Sequence, residues 1–369
     1  MVRRSNIAIS LGDPCGIGPE LLVGSLPAIH SRTDVTVVGS KAGLDLLMGL
    51  PGARVAWRWV EPPGPVPATF SGKVYGLRVY SVGEPPDQVL GEALWLDPTP
   101  EIGVDQLHLG EGSAASGRAT VEAIRIAALM TLSGATDALV TLPMAKSAAH
   151  LAGYPIPGHT EFLREISEAP ITRMAFVSPR LNVVLHTVHQ SLRSVVEGLD
   201  SDAVAETLIF SARQFIHLTG KSDLRVALCA MNPHAGEQGA FGGEERLLEA
   251  AIRQAEGSFR DEAQSTPVFS GPWPSDSVFQ RAARGEFDLV VALYHDQGLI
   301  PVKLLEPAQA VNLTLGLPFV RTSPDHGTAF DKAGKWIADS ENFLAATALA
   351  IRLSQGAGPT MPALDGRPA

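Results

Sequence analysis

The chain is nearly devoid of cysteine. Cys15 and Cys229 are the only two in 369 residues, and neither stands in a CxxC or Cys/His spacing, which excludes a disulfide framework and a cysteine-built structural zinc module. Long apolar runs are also missing, since no stretch approaches the ~20 apolar residues of a membrane-spanning helix. The apolar run at 7–11 that follows Arg3 and Arg4 is too short for a signal-peptide core and reads as a first strand. Charge is sparse at 18%, and its 39 acidic and 29 basic residues form no long block of one sign. That argues against nucleic acid as a partner. An anionic metabolite stays open, because a local group of Lys and Arg can oppose a global charge of −10. These absences together predict a soluble, cytoplasmic protein.

What is present is core material. Hydrophobic residues make up 45% of the chain, enough for a full core, and the length suits two domains or two lobes sharing one chain. Apolar strand-like runs (7–11, 35–38, 55–59, 77–81, 137–142, 173–177, 182–186, 225–230, 268–270, 289–293) alternate with helical patterns, the longest at 113–132, which predicts an α/β fold. Prolines cluster at 61–68 and 83–100, four in each, so both segments are expected to be surface excursions. The glycine- and proline-rich stretch 356–369 reads as a mobile tail.

The apolar run 289–293 stops at Tyr294-His295-Asp296-Gln297-Gly298. In open α/β sheets ligands gather at the carboxyl ends of strands, so His295 is a candidate for chemistry, with a hydrogen-bonded histidine at a strand end as the plainer reading. The pattern recurs twice, with His234 in Asn232-Pro233-His234-Ala235-Gly236-Glu237 after 225–230 and His189 after 182–186. Imidazole is the commonest ligand for zinc-like metals, and three protein ligands with an open position suit catalysis. No two of the three stand at HxxxH or HExxH spacing, so spacing alone does not join them.

A glycine-rich turn, Gly12-Asp13-Pro14-Cys15-Gly16-Ile17-Gly18-Pro19-Glu20, links the first strand to a helix. Such turns bring backbone N–H groups to a phosphate or nucleotide. This one matches neither GxGxxG nor the P-loop, and a tight turn without ligand competes. At Gly158-His159-Thr160-Glu161-Phe162, Thr160 is a candidate N-cap, at a place suited to an anion. With Lys303, Asn312 and Arg321, each expected in a strand-and-turn context, His159 and Thr160 form a set able to hold phosphate or carboxylate. Ordinary surface charge is the competing reading of Lys303 and Arg321, and Lys146 at a strand end either faces the site or is solvated.

These motifs, together with Arg321-Thr322-Ser323-Pro324-Asp325-His326-Gly327-Thr328-Ala329, resemble in order the 4-hydroxythreonine-4-phosphate dehydrogenase family of pyridoxal phosphate synthesis. The resemblance implies an isocitrate/isopropylmalate dehydrogenase-like fold, two α/β/α lobes flanking a central cleft. Residues 1–133 and 302–355 would form the nucleotide-binding lobe, and 134–301 the metal-binding and dimerisation lobe. It further implies that His189, His234 and His295, drawn from both subunits of a homodimer with the active site at the subunit interface, hold a divalent metal (zinc, magnesium or cobalt). His159, Thr160, Lys303, Asn312 and Arg321 would bind the substrate, and His326, Gly327 and Thr328 would lie against NAD or NADP. Lys303 and Asp296 are the candidate proton carriers.

The activity so implied is oxidation of 4-hydroxythreonine 4-phosphate at its 3-hydroxyl, followed by decarboxylation to 3-amino-2-oxopropyl phosphate. Phosphorylated threonate or erythronate is the alternative substrate. A metal-dependent hydrolase is the rival from another class, distinguished by turnover without NAD, and a non-catalytic phosphometabolite-binding protein is a third reading. Cys15, Trp336 and the long proline-rich region depart from the family pattern.

Overall fold

The computed structural model describes residues 4–63, 70–82, 88–260 and 265–356. In chain order the elements are β1 (Asn6–Ser10), α1 (Gly18–His30), β2 (Asp34–Val38), α2 (Lys41–Asp45), β3 (Val55–Val60), β4 (Lys73–Ser81), β5 (Gly91–Asp97), α3 (Ala114–Leu132), β6 (Ala138–Thr141), α4 (Lys146–Leu151) and α5 (His159–Ser167). They continue with β7 (Arg173–Val177), β8 (Asn182–Leu185), α6 (Leu192–Glu197), α7 (Ser201–Thr219), β9 (Arg225–Cys229), α8 (Glu245–Ser258), β10 (Val268–Trp273), α9 (Ser275–Ala283), β11 (Leu289–Ala292), α10 (His295–Leu305), β12 (Val311–Leu315), β13 (Arg321–Ser323) and α11 (Glu341–Ser354). None of the described helices is long and apolar enough to cross a membrane.

The chain forms two compact units, one of Met1–Ile171 with Leu317–Gln355 and one built on Thr172–Gly316. The divisions fall at 171/172 and 316/317, where the sequence reading placed them at 133/134 and 301/302. The reason is strand pairing: β6 lies parallel to β1 and β13, and α5 packs on α3, so residues 134–171 belong with the first unit. Likewise β12 pairs antiparallel with β7, which keeps residues 302–316 in the second.

In the first unit the strands run in the order β13-β6-β1-β2-β5-β4-β3. Pairs from β13 to β5 are parallel, and β4 and β3 close the edge antiparallel. Its core packs Ala8, Leu96, Ile124, Leu139 and Leu163 together. Strand β5 corrects the expectation of a surface excursion at 83–100. The prolines stand at 85, 86, 98 and 100, so Gly91–Asp97 is free of them, and Trp95 and Leu96 are fully buried between β2 and β4. The other proline-rich residues, 64–69 and 83–87, and the expected tail beyond Gly356 lie outside the described residues.

In the second unit the order is β10-β9-β11-β8-β7-β12, parallel from β10 to β8 and antiparallel from there. Phe176, Val183, Leu185, Ala227, Val278, Val290 and Val302 form its core. The three parallel strands β8, β9 and β11 point their carboxyl ends the same way, and each leads into one of the three candidate histidines.

Candidate active site

In the first unit, the turn two residues past β1 holds Gly12, whose φ of +71° is open chiefly to glycine. A Cβ there would lie 2.4 Å from the Pro143 carbonyl oxygen. The turn aims Asp13 inward. Its carboxylate accepts the Cys15 backbone N–H at 2.9 Å and the Ser116 hydroxyl at 3.2 Å. Ser116 also completes the N-terminal cap of α3 with Ser113, so Asp13 ties the glycine-rich turn to the start of the long helix. Burial pushes the Asp13 carboxyl up to about 6, opposed by the Cys15 and Ser116 hydrogen bonds. Further along the turn, a Cβ on Gly16 would meet the Thr328 carbonyl oxygen at 2.9 Å, and the Ile17 N–H donates to that oxygen at 3.1 Å. Two motifs separated by more than 300 residues are thus in backbone contact. His326 beside them holds its Nδ1 against the Gly327 carbonyl oxygen at 3.1 Å, and its covered Nε2 has no hydrogen-bond partner among the described residues.

The same unit gathers the anion-binding candidates. Arg321 on β13 is 2% exposed, and its Nη2 and Nε donate to the Thr141 hydroxyl at 2.6 and 3.2 Å. Burial lowers the guanidinium to about 9, and Glu161 acts in the opposite sense. His159 opens α5. Burial, then the nearby charges of Arg321 and Lys146, push its imidazole down to about 3, so the ring is neutral at physiological pH, and its covered Nε2 has no hydrogen-bond partner among the described residues. Gly158, not Thr160, is the residue before the helix, and Thr160 sits in its first turn. Lys146 and Glu161 border Gly158, since a Cβ there would lie 3.9 Å from Lys146 Nζ and 3.0 Å from Glu161 Oε2. A desolvated guanidinium, an exposed lysine and a helix N-terminus in one place suit an anion. The sequence reading missed Thr141, whose signal was only its place at the end of a buried strand.

In the second unit, His189 and His295 face each other with ring centroids 6.1 Å apart. They line a cavity of about 290 Å³ with Val188, Gln190, Leu192, Tyr294 and Asp296. His295 starts α10, and its Nδ1 lies 2.7 Å from Asp296 Oδ1. His234 is exposed on a turn at Pro233–Gly239, where His234, Ala235, Gly236, Glu237 and Gln238 all have positive φ. Left-handed backbone costs a non-glycine residue roughly 1–2 kcal/mol, and such strain persists only where surroundings enforce it. Here Glu245 accepts the Asn232 N–H at 2.8 Å, and Glu244 and Glu245 both accept from the Asn232 side chain. Among the described residues no three His, Cys, Asp or Glu form a metal-holding group, so within one chain the structure pairs His189 with His295 and leaves His234 apart.

Two imidazoles at a cavity mouth, one with its Nδ1 engaged by a carboxylate, are a donor set suited to a zinc-like ion. Of the remaining candidates, Asn312 lies on β12 with its Oδ1 buried and unpartnered among the described residues. Lys303 is on the last turn of α10 rather than in the strand-and-turn setting expected. The hydrogen bonds that Glu245 accepts from Asn232, just before the turn, and those Gln297 makes at the strand ends were not foreseen.

With this geometry in view, residues 81–350 match the family described as pyridoxal phosphate biosynthetic protein PdxA. The chain belongs to the PdxA family. It is 38% identical to the 4-hydroxythreonine-4-phosphate dehydrogenase of Desulfosudis oleivorans, over 95% of this chain and 96% of that one. It is also 38% identical to the D-threonate 4-phosphate dehydrogenase of Cupriavidus necator, over 92% and 94%. Among solved structures, the 4-hydroxythreonine-4-phosphate dehydrogenase of Klebsiella pneumoniae superposes with a TM-score of 0.76 at 34% identity, covering 95% of this chain and 98% of that one. As a PdxA family member the chain is an oxidoreductase, and its α/β architecture is that of the solved dehydrogenase.

Proposed function

We propose that this PdxA-family enzyme oxidises 4-hydroxythreonine 4-phosphate at its 3-hydroxyl with NAD or NADP in the cytoplasm. Loss of carbon dioxide from the resulting β-keto acid then leaves 3-amino-2-oxopropyl phosphate. The observation that carries this reading is the buried Arg321 beside neutral His159 at the start of α5. A guanidinium stripped of water favours a dianion, and its planar fork matches phosphate. A neutral His159 would donate a hydrogen bond to the same group, and Thr160 would add a hydroxyl. Holding the phosphate fixes the reacting carbon against the cofactor. Lys303 and Asn312 are assigned to the substrate on motif alone.

His326, Gly327 and Thr328 would hold the nicotinamide nucleotide, a role supported by their contact with the glycine-rich turn. His189, His234 and His295 would hold a divalent zinc, magnesium or cobalt ion, which when bound polarises the hydroxyl being oxidised and the carbonyl it becomes. The pairing of His189 with His295, and the separate position of His234, favour a site completed across a homodimer. Lys303 and Asp296 are the candidates for proton transfer, and the Asp296 carboxylate also holds His295 Nδ1.

The equal identity to a D-threonate 4-phosphate dehydrogenase favours one second reading, the same chemistry on phosphorylated threonate, which carries a hydroxyl where hydroxythreonine carries its amine. A reduced-nicotinamide assay with phosphorylated hydroxythreonine, threonate and erythronate in parallel, with and without chelator, tests both. Chelator-sensitive turnover of the first is expected, faster turnover of the second would transfer the assignment, and turnover of none would overturn the dehydrogenase reading.

A further inference from the structure

The three strand ends that carry the histidines share a polar clamp that the reading above leaves without a role. Gln297, in the first turn of α10, is only 7% exposed. Its Oε1 accepts the Leu293 N–H at 2.6 Å, one residue past β11, where the ladder no longer supplies a partner. Its Nε2 donates to the Ala230 carbonyl oxygen, one residue past β9, at 2.8 Å and to the hydroxyl of Ser275, the first residue of α9, at 2.9 Å. The Leu293 carbonyl oxygen accepts in turn from the Thr187 hydroxyl at 2.7 Å and the Thr187 N–H at 3.2 Å. Leu293 therefore joins the end of β11 to the end of β8, and Gln297 joins it to the end of β9. His295 follows Leu293 by two residues, His189 follows Thr187 by two, and His234 follows Ala230 by four.

We infer that Gln297 is a positioning residue for the metal site, setting where the strand ends stop and hence where their histidines stand. The inference rests on the metal reading. No other side chain suits the place: one oxygen must meet an N–H while one nitrogen meets a carbonyl, with both amide hydrogens used. A glutamate would set a carboxylate oxygen against the Ala230 carbonyl, and a methionine of similar shape would leave the Leu293 N–H unpaired in a buried site and the Ala230 carbonyl with only the Ser275 hydroxyl, at 3.2 Å.

The test titrates metal-free full-length enzyme with cobalt(II), reading the visible absorption band and the binding constant, with melting temperature measured alongside. Gln297→Met and Gln297→Glu are expected to weaken cobalt binding roughly 10- to 100-fold and to alter the band. Phe215→Leu, a core change on α7, lowers the melting temperature and leaves both readings at wild type. A folded Gln297→Met with wild-type affinity and spectrum would overturn the inference. Wild-type protein that takes up no cobalt would overturn the metal reading, and this inference with it.

Discussion

Asp296 Oδ1 lies 2.7 Å from His295 Nδ1. With Nδ1 engaged, Nε2 is the ring atom left to coordinate, and a carboxylate behind a metal-binding histidine fixes its orientation and raises its basicity. His295→Ala is expected to abolish metal binding and turnover. Asp296→Ala is expected to weaken metal binding by about tenfold and to recover most of its turnover at saturating metal. Unchanged metal affinity with turnover lost at saturation would make Asp296 a proton carrier instead.

Arg321 is a buried cation already held on Thr141, and in the proposed site it would meet the substrate phosphate. Replacement by Lys keeps the charge and loses the planar fork. Arg321→Gln removes the charge from a desolvated site, a loss of about 2–4 kcal/mol, or roughly 30- to 700-fold in affinity for a phosphorylated ligand. The readout is KM for the phosphorylated substrate and inhibition by inorganic phosphate. Lys is expected to fall between Gln and wild type, while KM for the nicotinamide nucleotide stays put.

Gly16→Ala probes the other motif pair. Its new Cβ would crowd the Thr328 carbonyl oxygen at 2.9 Å, displacing the His326-Gly327-Thr328 loop. KM for the nicotinamide nucleotide is expected to rise severalfold with little change in inhibition by inorganic phosphate. The reverse pattern would separate this loop from the cofactor.

Asp13 gives the fold a pH signature. Its carboxyl is raised from 3.8 to about 6 in the folded chain, so the folded state keeps a proton that the unfolded chain has released. The stabilisation is complete below 3.8 and is lost as pH rises through about 6, a contribution of up to about 3 kcal/mol. Asp13→Asn does not titrate. Its melting temperature relative to wild type is expected to climb between about pH 4 and about pH 6, and a difference that stays flat across this window would contradict the burial argument.

Sequence legibility followed the range of the forces involved. Strands such as β1, β6 and β11 were readable because buried parallel strands are continuous apolar runs, and His189, His234 and His295 were readable as residues just past them. Strand β5 was obscured by the prolines on either side of Gly91–Asp97. The left-handed run from His234 to Gln238 was hidden because no local pattern announces it, nor the bonds by which Glu244 and Glu245 hold Asn232 ahead of it. Gln297 looked like one polar residue in a turn motif, and only tertiary structure reveals that its amide joins the ends of β9 and β11. The pairing of His189 with His295 likewise depends on β8 and β11 being neighbours in the sheet, a topological fact that spacing does not encode.

The most direct measurement of the central claim follows reduced nicotinamide and carbon dioxide together in metal-restored enzyme given 4-hydroxythreonine 4-phosphate. The account predicts both products in equal amounts, and neither once chelator has removed the metal. Reduced nicotinamide without carbon dioxide would contradict the decarboxylating step, and the absence of both in metal-restored enzyme would contradict the proposed activity on this substrate.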